Sequence, residues 1–309
     1  MLQASPAPDK DALEECELRF LPGMERGAAQ RALAALFREH GIESANADAR
    51  VLLCASLGAE YADVVRNPDR PLGRAAAALA AFAARRLKRE PVSRIIGERE
   101  FWTARYAISS DVLDPRPATE TLIEAVLDFA ARQPRQNWRI LDLGTGSGAI
   151  LCSLLQSLPG SSGVGSDKSP AACRVAQRNL AALGLAGRGH IVCGDWTQAL
   201  RGPFDVIVSN PPYIPRADIR QLAPDVRNFD PRLALDGGDD GLDAYRAIIP
   251  SLPELLAPGG IVALEIGSSQ KREVELLLRG AFNAPAEARL DLDGNWRVMT
   301  VSPLLSGRE

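Results

Sequence analysis

The spacing of apolar residues divides the chain into a helical part, a short stretch of alternation and a long series of buried-type strands. From Gly27 to about Arg89 the text is rich in alanine, and apolar residues recur at helical spacing. AAQRALAALFREHG sets Leu33, Leu36 and Phe37 on one face and stops at Gly41, a residue suited to a left-handed cap. ADARVLLCASLG repeats the pattern up to Gly58, and GRAAAALAAFAARRLKRE predicts a third helix ended by Pro91. Its last turns carry Arg85, Arg86, Lys88 and Arg89, where cations complement the helix dipole, and they predict a solvated basic face. Residues 1–23 have two early prolines and no strong period, and predict a poorly ordered extension.

Between Val92 and Asp114 the period changes. SRIIGEREFWTARYAISSDVL predicts two short strands around a glycine-containing turn, and DPRPATE follows. The next helix shows a capping-box spacing at Thr121 to Glu124 and an apolar stripe of Leu122, Ile123, Val126, Leu127 and Ala130. From there RILDLG, GVGSD, HIVCGD, FDVIVSN and GIVALEIG predict buried strands, several of them separated by helical text. ARLDLDGNWRVMTVSP predicts an antiparallel hairpin across Asp-Gly-Asn that closes the sheet. The fold class is α/β: a small all-α domain over 24–91, a β-hairpin linker over 92–115 and a mostly parallel, Rossmann-like sheet domain over 116–309.

Composition narrows the picture without changing it. The 309 residues are 46% hydrophobic and 24% charged with a formal net charge of -3, so no global basicity draws the chain onto nucleic acid. Five scattered cysteines without C-x-x-C spacing predict reduced core thiols and no metal site. No stretch reaches the roughly 18 apolar residues of a membrane span, and acids stand where a signal peptide would be apolar; a cytoplasmic protein is expected.

Open parallel sheets bind ligands at the carboxyl ends of their strands, and the candidate chemistry collects there. LDLGTGSGAI places Gly144, Thr145, Gly146, Ser147 and Gly148 between a strand and a helix, where backbone can approach a ligand. The spacing is G-x-G-x-G and departs from the G-x-G-x-x-G of dinucleotide enzymes, though a hydride-transfer enzyme remains a competing reading of this half. Asp167 ends the second strand, where a carboxylate can meet ribose hydroxyls, and Asp195 with Trp196 ends the third and offers a polar group and a flat apolar surface for adenine. These loops resemble the S-adenosyl-L-methionine site of Rossmann-like methyltransferases.

SNPPYI follows the fourth strand, which lies beside the first in the usual order of such sheets. A planar amine conjugated to a carbonyl or a ring is a poor nucleophile, so orientation and charge stabilisation must compensate. The Asn210 side-chain oxygen and a carbonyl held stiffly by Pro211 and Pro212 can accept both N–H groups, while Tyr213 walls the planar group. On this reading Asp at position 210 keeps more activity than Ala, unless the Asn210 N–H donor holds the loop in place.

The run PVSRIIGEREFWTARYAISSDVLDPRPATETLIEAVL, then LDLGTGSGAI, SNPPYI and FDPRLALDGGDDGLDAYRAII, resembles the release-factor glutamine methyltransferases over roughly residues 25–303. The resemblance implies transfer of a methyl group from S-adenosyl-L-methionine, with S-adenosyl-L-homocysteine as product. The acceptor is the side-chain amide of the Gly-Gly-Gln glutamine of class I peptide chain release factors, with no membrane and no nucleic-acid substrate. It implies that Gly144, Thr145, Gly146, Ser147, Gly148, Asp167, Asp195, Trp196 and Asn210 contact cofactor, that Phe101 walls that site, and that Asn210, Pro211, Pro212 and Tyr213 receive the amide. Where the family usually reads Pro-Arg-Pro-Asp-Thr-Glu, this chain has Ala118, which puts the local geometry there in doubt. Arg116 is either a structural clamp or a ligand contact, and the long segment from Ile214 to about Gly241 is expected to wall the substrate side. Rival readings are a glutamine methyltransferase of a ribosomal protein, a nucleic-acid adenine methyltransferase and a non-catalytic cofactor-binding module.

Overall fold

A computed structural model describes residues 10–303. The chain forms two units, one ending at Gly97 and one beginning at Glu98. The first contains α1 (Lys10–Arg19), α2 (Arg26–Glu39), α3 (Ala45–Leu57), α4 (Tyr61–Arg66), α5 (Ala75–Leu87) and α6 (Val92–Ile96). The three helices expected from periodicity are α2, α3 and α5. Ala29, Leu33, Leu36 and Phe37 form the buried stripe of α2, and Ala45, Ala49, Leu52 and Leu53 that of α3.

Three expectations for this unit need correction. Residues 1–9 of the expected extension lie outside the described residues, but Lys10–Arg19 is a helix, and Cys16 and Phe20 sink into the same core as Leu33 and Phe37. Two apolar anchors sufficed where no full stripe was visible. Second, the basic end of α5 is partly structural. Arg86 is buried and donates to Asp48 at 2.8 Å, while Arg85 grips Glu90 and donates to the Ile95 carbonyl. A guanidinium can be buried when its donors are matched in this way. Third, Val92–Ile96 is helical and Gly97, at φ 80, caps it, so the glycine does not make the hairpin turn.

Gly58 caps α3 at φ 59 with open space around the position of a Cβ. Gly58→Ala therefore meets no clash and should cost only the left-handed conformation, about 1 kcal/mol. A urea melt of the full chain checks this, and a loss above about 3 kcal/mol would mean that packing was misjudged.

The second unit opens with β1 (Glu98–Phe101) and β2 (Ala104–Ala107), an antiparallel pair turning at Trp102-Thr103. Trp102 takes the turn at φ 53, and its N–H donates to Glu120 at 3.0 Å. The hairpin docks on its own unit: the Tyr106 hydroxyl meets Ser153 at 2.9 Å, and Asn179 exchanges hydrogen bonds with the Ala107 backbone. It is thus part of the sheet unit by its contacts.

The remaining elements are α7 (Glu120–Ala131), β3 (Arg139–Leu143), α8 (Ala149–Ser157), β4 (Ser162–Asp167), α9 (Pro170–Ala182), β5 (Gly189–Cys193), β6 (Phe204–Ser209), α10 (Pro224–Arg227), α11 (Asp243–Ile248), α12 (Leu252–Leu255), β7 (Leu256–Glu265), α13 (Lys271–Phe282), β8 (Glu287–Leu290) and β9 (Trp296–Val301). α7 begins after Thr119, so Thr121 is a buried helical residue and the expected capping box does not form. The sheet order is β5-β4-β3-β6-β7-β9-β8, parallel except for β9, which runs antiparallel to both of its neighbours. Alternate strand residues feed two cores, as a sheet covered on both faces requires. Ile140, Val206, Val208 and Ala263 meet α7, α8 and α9, whereas Leu141, Leu143, Ile207, Val262 and Leu264 meet α11, α12 and α13.

Candidate active site

The order reverses between β3 and β4 on one side and β6 on the other, so a crevice opens at the carboxyl ends of β3 and β6. Register carries Leu143 level with Ser209, which brings the glycine loop and Asn210 out of the sheet side by side. They face one cavity of about 680 Å³.

The glycine loop is built by backbone conformation and by what lies beneath it. Gly144, Gly146 and Gly148 have φ of 70°, 55° and 77°, a region that costs other residues steric strain. The Trp196 ring lies 3.4 Å from where a Gly144 Cβ would stand, an ordinary contact distance, so it is the backbone conformation that calls for glycine here. Below the loop Asp142 is fully buried and accepts from the Thr145 hydroxyl at 2.6 Å; burial pushes its carboxyl up to about 7. Asn179 ties the loop to the hairpin, donating to the Ser147 carbonyl at 2.8 Å as well as to Ala107. Neither Asp142 nor Asn179 was legible as a site residue. Each reads as part of a strand or helix pattern, and only the packing joins them to the loop.

Asp167 ends β4 with both oxygens at work: Oδ2 accepts from Gly146 N–H at 2.9 Å and Oδ1 from Ser169 N–H at 2.8 Å. It still lines the cavity, as do Phe101, Thr145, Ser147, Asp195 and Trp196. Asp195 is half engaged by Lys168 at 3.1 Å, an exposed pair of little energetic weight. Gly148 is not in the wall; its Cβ position abuts Ala176, so it serves the contact between α8 and α9.

At the other end Asn210 and Pro212 line the cavity, while Pro211 is buried and neither it nor Tyr213 is part of the wall. The Tyr213 hydroxyl donates to Glu265 at 3.3 Å. Asn210 Nδ2 donates to Thr119 Oγ1 at 3.3 Å, which leaves Oδ1 as the group not engaged in that bond. Arg116 pairs with the buried Asp230 at 2.6 Å and so holds the segment after the Pro-Pro motif, as the clamp reading expects. That segment contributes Pro231, Leu233 and Asp236 to the cavity wall. The turn Pro117–Thr119 forms with Ala118 in place and delivers Thr119 to Asn210. Burial also raises the thiols of Cys152 and Cys173 to about 12, as befits core residues, whereas Cys193 is exposed.

No group of His, Cys, Asp and Glu able to hold a metal ion occurs among the described residues, and none of their helices is long and apolar enough to cross a membrane. A glycine loop, a strand-end acid and an Asn-Pro-Pro-Tyr loop round one crevice of such a sheet define a Rossmann-like methyltransferase. The profile of the PrmC N-terminal domain matches residues 28–97, and that of the methyltransferase small domain matches residues 98–223. A release factor glutamine methyltransferase of Bradyrhizobium diazoefficiens is 49% identical over 84% of this chain and 88% of its own. Those of Rhodospirillum rubrum and Cereibacter sphaeroides are 49% and 44% identical, over 89% and 90% of this chain and 82% and 98% of theirs. The chain belongs to the release factor glutamine methyltransferase family. Among solved structures it is similar to the catalytic domain of hMettl16 in complex with MAT2A 3'UTR hairpin 6, with a TM-score of 0.53 at 18% identity over 72% of this chain and 81% of that one. At that identity the likeness speaks for the fold alone.

Proposed function

We propose that this chain methylates the side-chain amide nitrogen of the glutamine in the Gly-Gly-Gln loop of class I peptide chain release factors, using S-adenosyl-L-methionine in the cytoplasm. The observation that carries the reading is the placement of Asn210, whose Nδ2 is tied back to Thr119, beside the glycine loop in one cavity. The family membership supports the choice of acceptor.

The residues present suit the cofactor. Gly144, Asp167, Asp195 and Trp196 all line one cavity, and its volume of about 680 Å³ is of ligand size. Gly144, Thr145, Gly146 and Ser147 would receive its methionine end, Asp167 its ribose hydroxyls, and Asp195, Trp196 and Phe101 its adenine side. When bound, S-adenosyl-L-methionine supplies an electrophilic methyl group and leaves as S-adenosyl-L-homocysteine. Asn210 Oδ1 accepts one N–H of the glutamine amide, and the backbone of the Pro-Pro segment accepts the other. These acceptors aim the nitrogen lone pair and stabilise the positive charge that develops on it, before the surplus proton leaves to water. Tyr213 stiffens the loop through its hydroxyl.

Side-by-side transfer of labelled methyl to purified release factor, ribosomal protein and DNA tests the reading. Label should enter release factor alone and should vanish when the loop glutamine is changed to glutamate. Preferential labelling of ribosomal protein or DNA would replace this assignment with one of its rivals.

The first unit is proposed to recognise the protein substrate, since the cavity-lining residues begin at Phe101, beyond its end. Hydrogen exchange of the full chain should then show protection of α2 to α5 when release factor is added. Protection confined to the second unit would move recognition there.

A further inference from the structure

We propose that Glu265 is a positioning residue that fixes which way round the Asn210 amide stands, so that Oδ1 faces the substrate. This rests on the assignment of glutamine methylation above. Glu265 is the last residue of β7, one position beyond the pairing of Leu264 with Ser209, and is 2% exposed. A carboxylate so placed is costly unless it is used. Its Oε1 accepts from the Tyr213 hydroxyl at 3.3 Å, while Oε2 makes no hydrogen bond among the described residues. Thr119 and Asn210 stand next to this carboxylate, and Asn210 Nδ2 is 3.3 Å from Thr119 Oγ1.

Proton counting gives the direction. The Thr119 hydroxyl has one proton; it is met by the Asn210 amide at 3.3 Å and neighbours the Glu265 carboxylate, whose Oε2 is the oxygen without a donor among the described residues. An ionised carboxylate can only accept, so the Thr119 proton turns toward Glu265 and Thr119 Oγ1 presents a lone pair to Asn210. Only Nδ2 of Asn210 can answer a lone pair, and Oδ1 is therefore left for the cavity. If position 265 donated instead, the Thr119 proton would point at Asn210, and the amide would gain by flipping. A flipped Asn210 would present N–H groups to the N–H groups of the substrate, and that contact is repulsive. Tyr213, the last residue of the motif, donates to Oε1 of the same carboxylate, so one buried group neighbours both ends of Asn-Pro-Pro-Tyr.

The groups facing Glu265 leave it as the one that titrates. Tyr213 and Tyr245 are held neutral by burial, and Tyr245 donates to the main-chain carbonyl of Glu265 at 2.8 Å. Arg297, on β9, is a cation throughout and is held by Asp291 at 3.0 Å. Burial pushes the Glu265 carboxyl up to about 7, against the opposing pull of Thr119, Arg297, Tyr213 and Asn210. The orienting form is the ionised one, so methyl transfer should gain as pH rises through neutrality and level off above it.

The test is single-turnover methyl transfer to release factor, with both substrates saturating, from about pH 6 to about pH 9. The unmodified chain should lose close to tenfold in rate per pH unit on the acid side of an inflection near 7. Glu265→Gln should be slower by roughly tenfold or more at pH 8, with a flat profile and unchanged cofactor affinity, a split that general unfolding would not produce. Thr119→Val removes the intermediary from the other side and should flatten the same limb. A flat profile for the unmodified chain overturns the proposal without any variant, as does a Glu265→Gln enzyme that keeps both rate and limb. Absence of label in release factor at every pH would take down the substrate assignment and this inference with it; label with a flat profile takes down the inference alone.

Discussion

Asn210→Ala is expected to slow single-turnover methylation of release factor about a hundred- to a thousandfold, or roughly 2.7–4 kcal/mol, the range seen when one preorganised oxyanion-hole donor is lost. The physical case is parallel with the sign reversed: here an acceptor is removed just as the amide nitrogen gains positive charge. Asn210 also lines the cavity beside the glycine loop, but most of the proposed cofactor contacts lie elsewhere, so cofactor affinity should fall far less than the rate. The structure sharpens the comparison with Asn210→Asp. Nδ2 is in use, donating to Thr119, and the side chain stands next to the Glu265 carboxylate. Asp would lose that donor and set two carboxylates together, which disfavours ionisation of both. On both counts Asp is expected to be about as slow as Ala. Either variant working at the unmodified rate would show that Asn210 does not orient the amide.

Asp167→Ala is expected to weaken S-adenosyl-L-methionine binding by about 1.5–3 kcal/mol, the worth of hydrogen bonds to a charged group. In dissociation constant this is roughly tenfold to somewhat over a hundredfold. Two losses combine. The ribose hydroxyls would lose their acceptor, and the Gly146 and Ser169 N–H groups would lose theirs, at 2.9 and 2.8 Å. The second loss loosens the loop that carries φ 55° at Gly146, so affinity should fall through geometry as well as through the missing contact. Titration calorimetry on the full chain measures it, and an unchanged affinity would remove Asp167 from the site.

These two experiments probe opposite ends of one cavity, and both ends depend on residues that hold the loops from behind or beside. Asp142 under the glycine loop, Asn179 between that loop and the hairpin, and Thr119 behind Asn210 each convert a local turn into a fixed geometry. A loop rich in glycine has many conformations open to it; hydrogen bonds from the surrounding elements select one. That is why the site is preorganised although glycines and a turn compose so much of it.

The strands, their order of appearance, the glycine loop, the strand-end acid and Asn-Pro-Pro-Tyr were determined by the sequence alone, because each is a run of neighbouring residues whose period or spacing has a direct steric or chemical meaning. Leu33 and Phe37 reveal a helix face by themselves, and GIVALEIG reveals a buried strand. What needed the tertiary structure was every property that depends on a partner distant in the chain. Arg85 and Arg86 read as solvated cations until Glu90 and Asp48 are seen to match them. The Lys10–Arg19 helix shows no strong stripe, because two residues, Cys16 and Phe20, anchor that segment to a core supplied by other helices. Glu265 reads as the polar end of a strand, and Thr119 as a turn residue 91 positions before Asn210. Local spacing limits which element a residue can join, but the charge, orientation and proton direction of a buried polar group are set by the groups packed against it, and only the folded sheet brings those together.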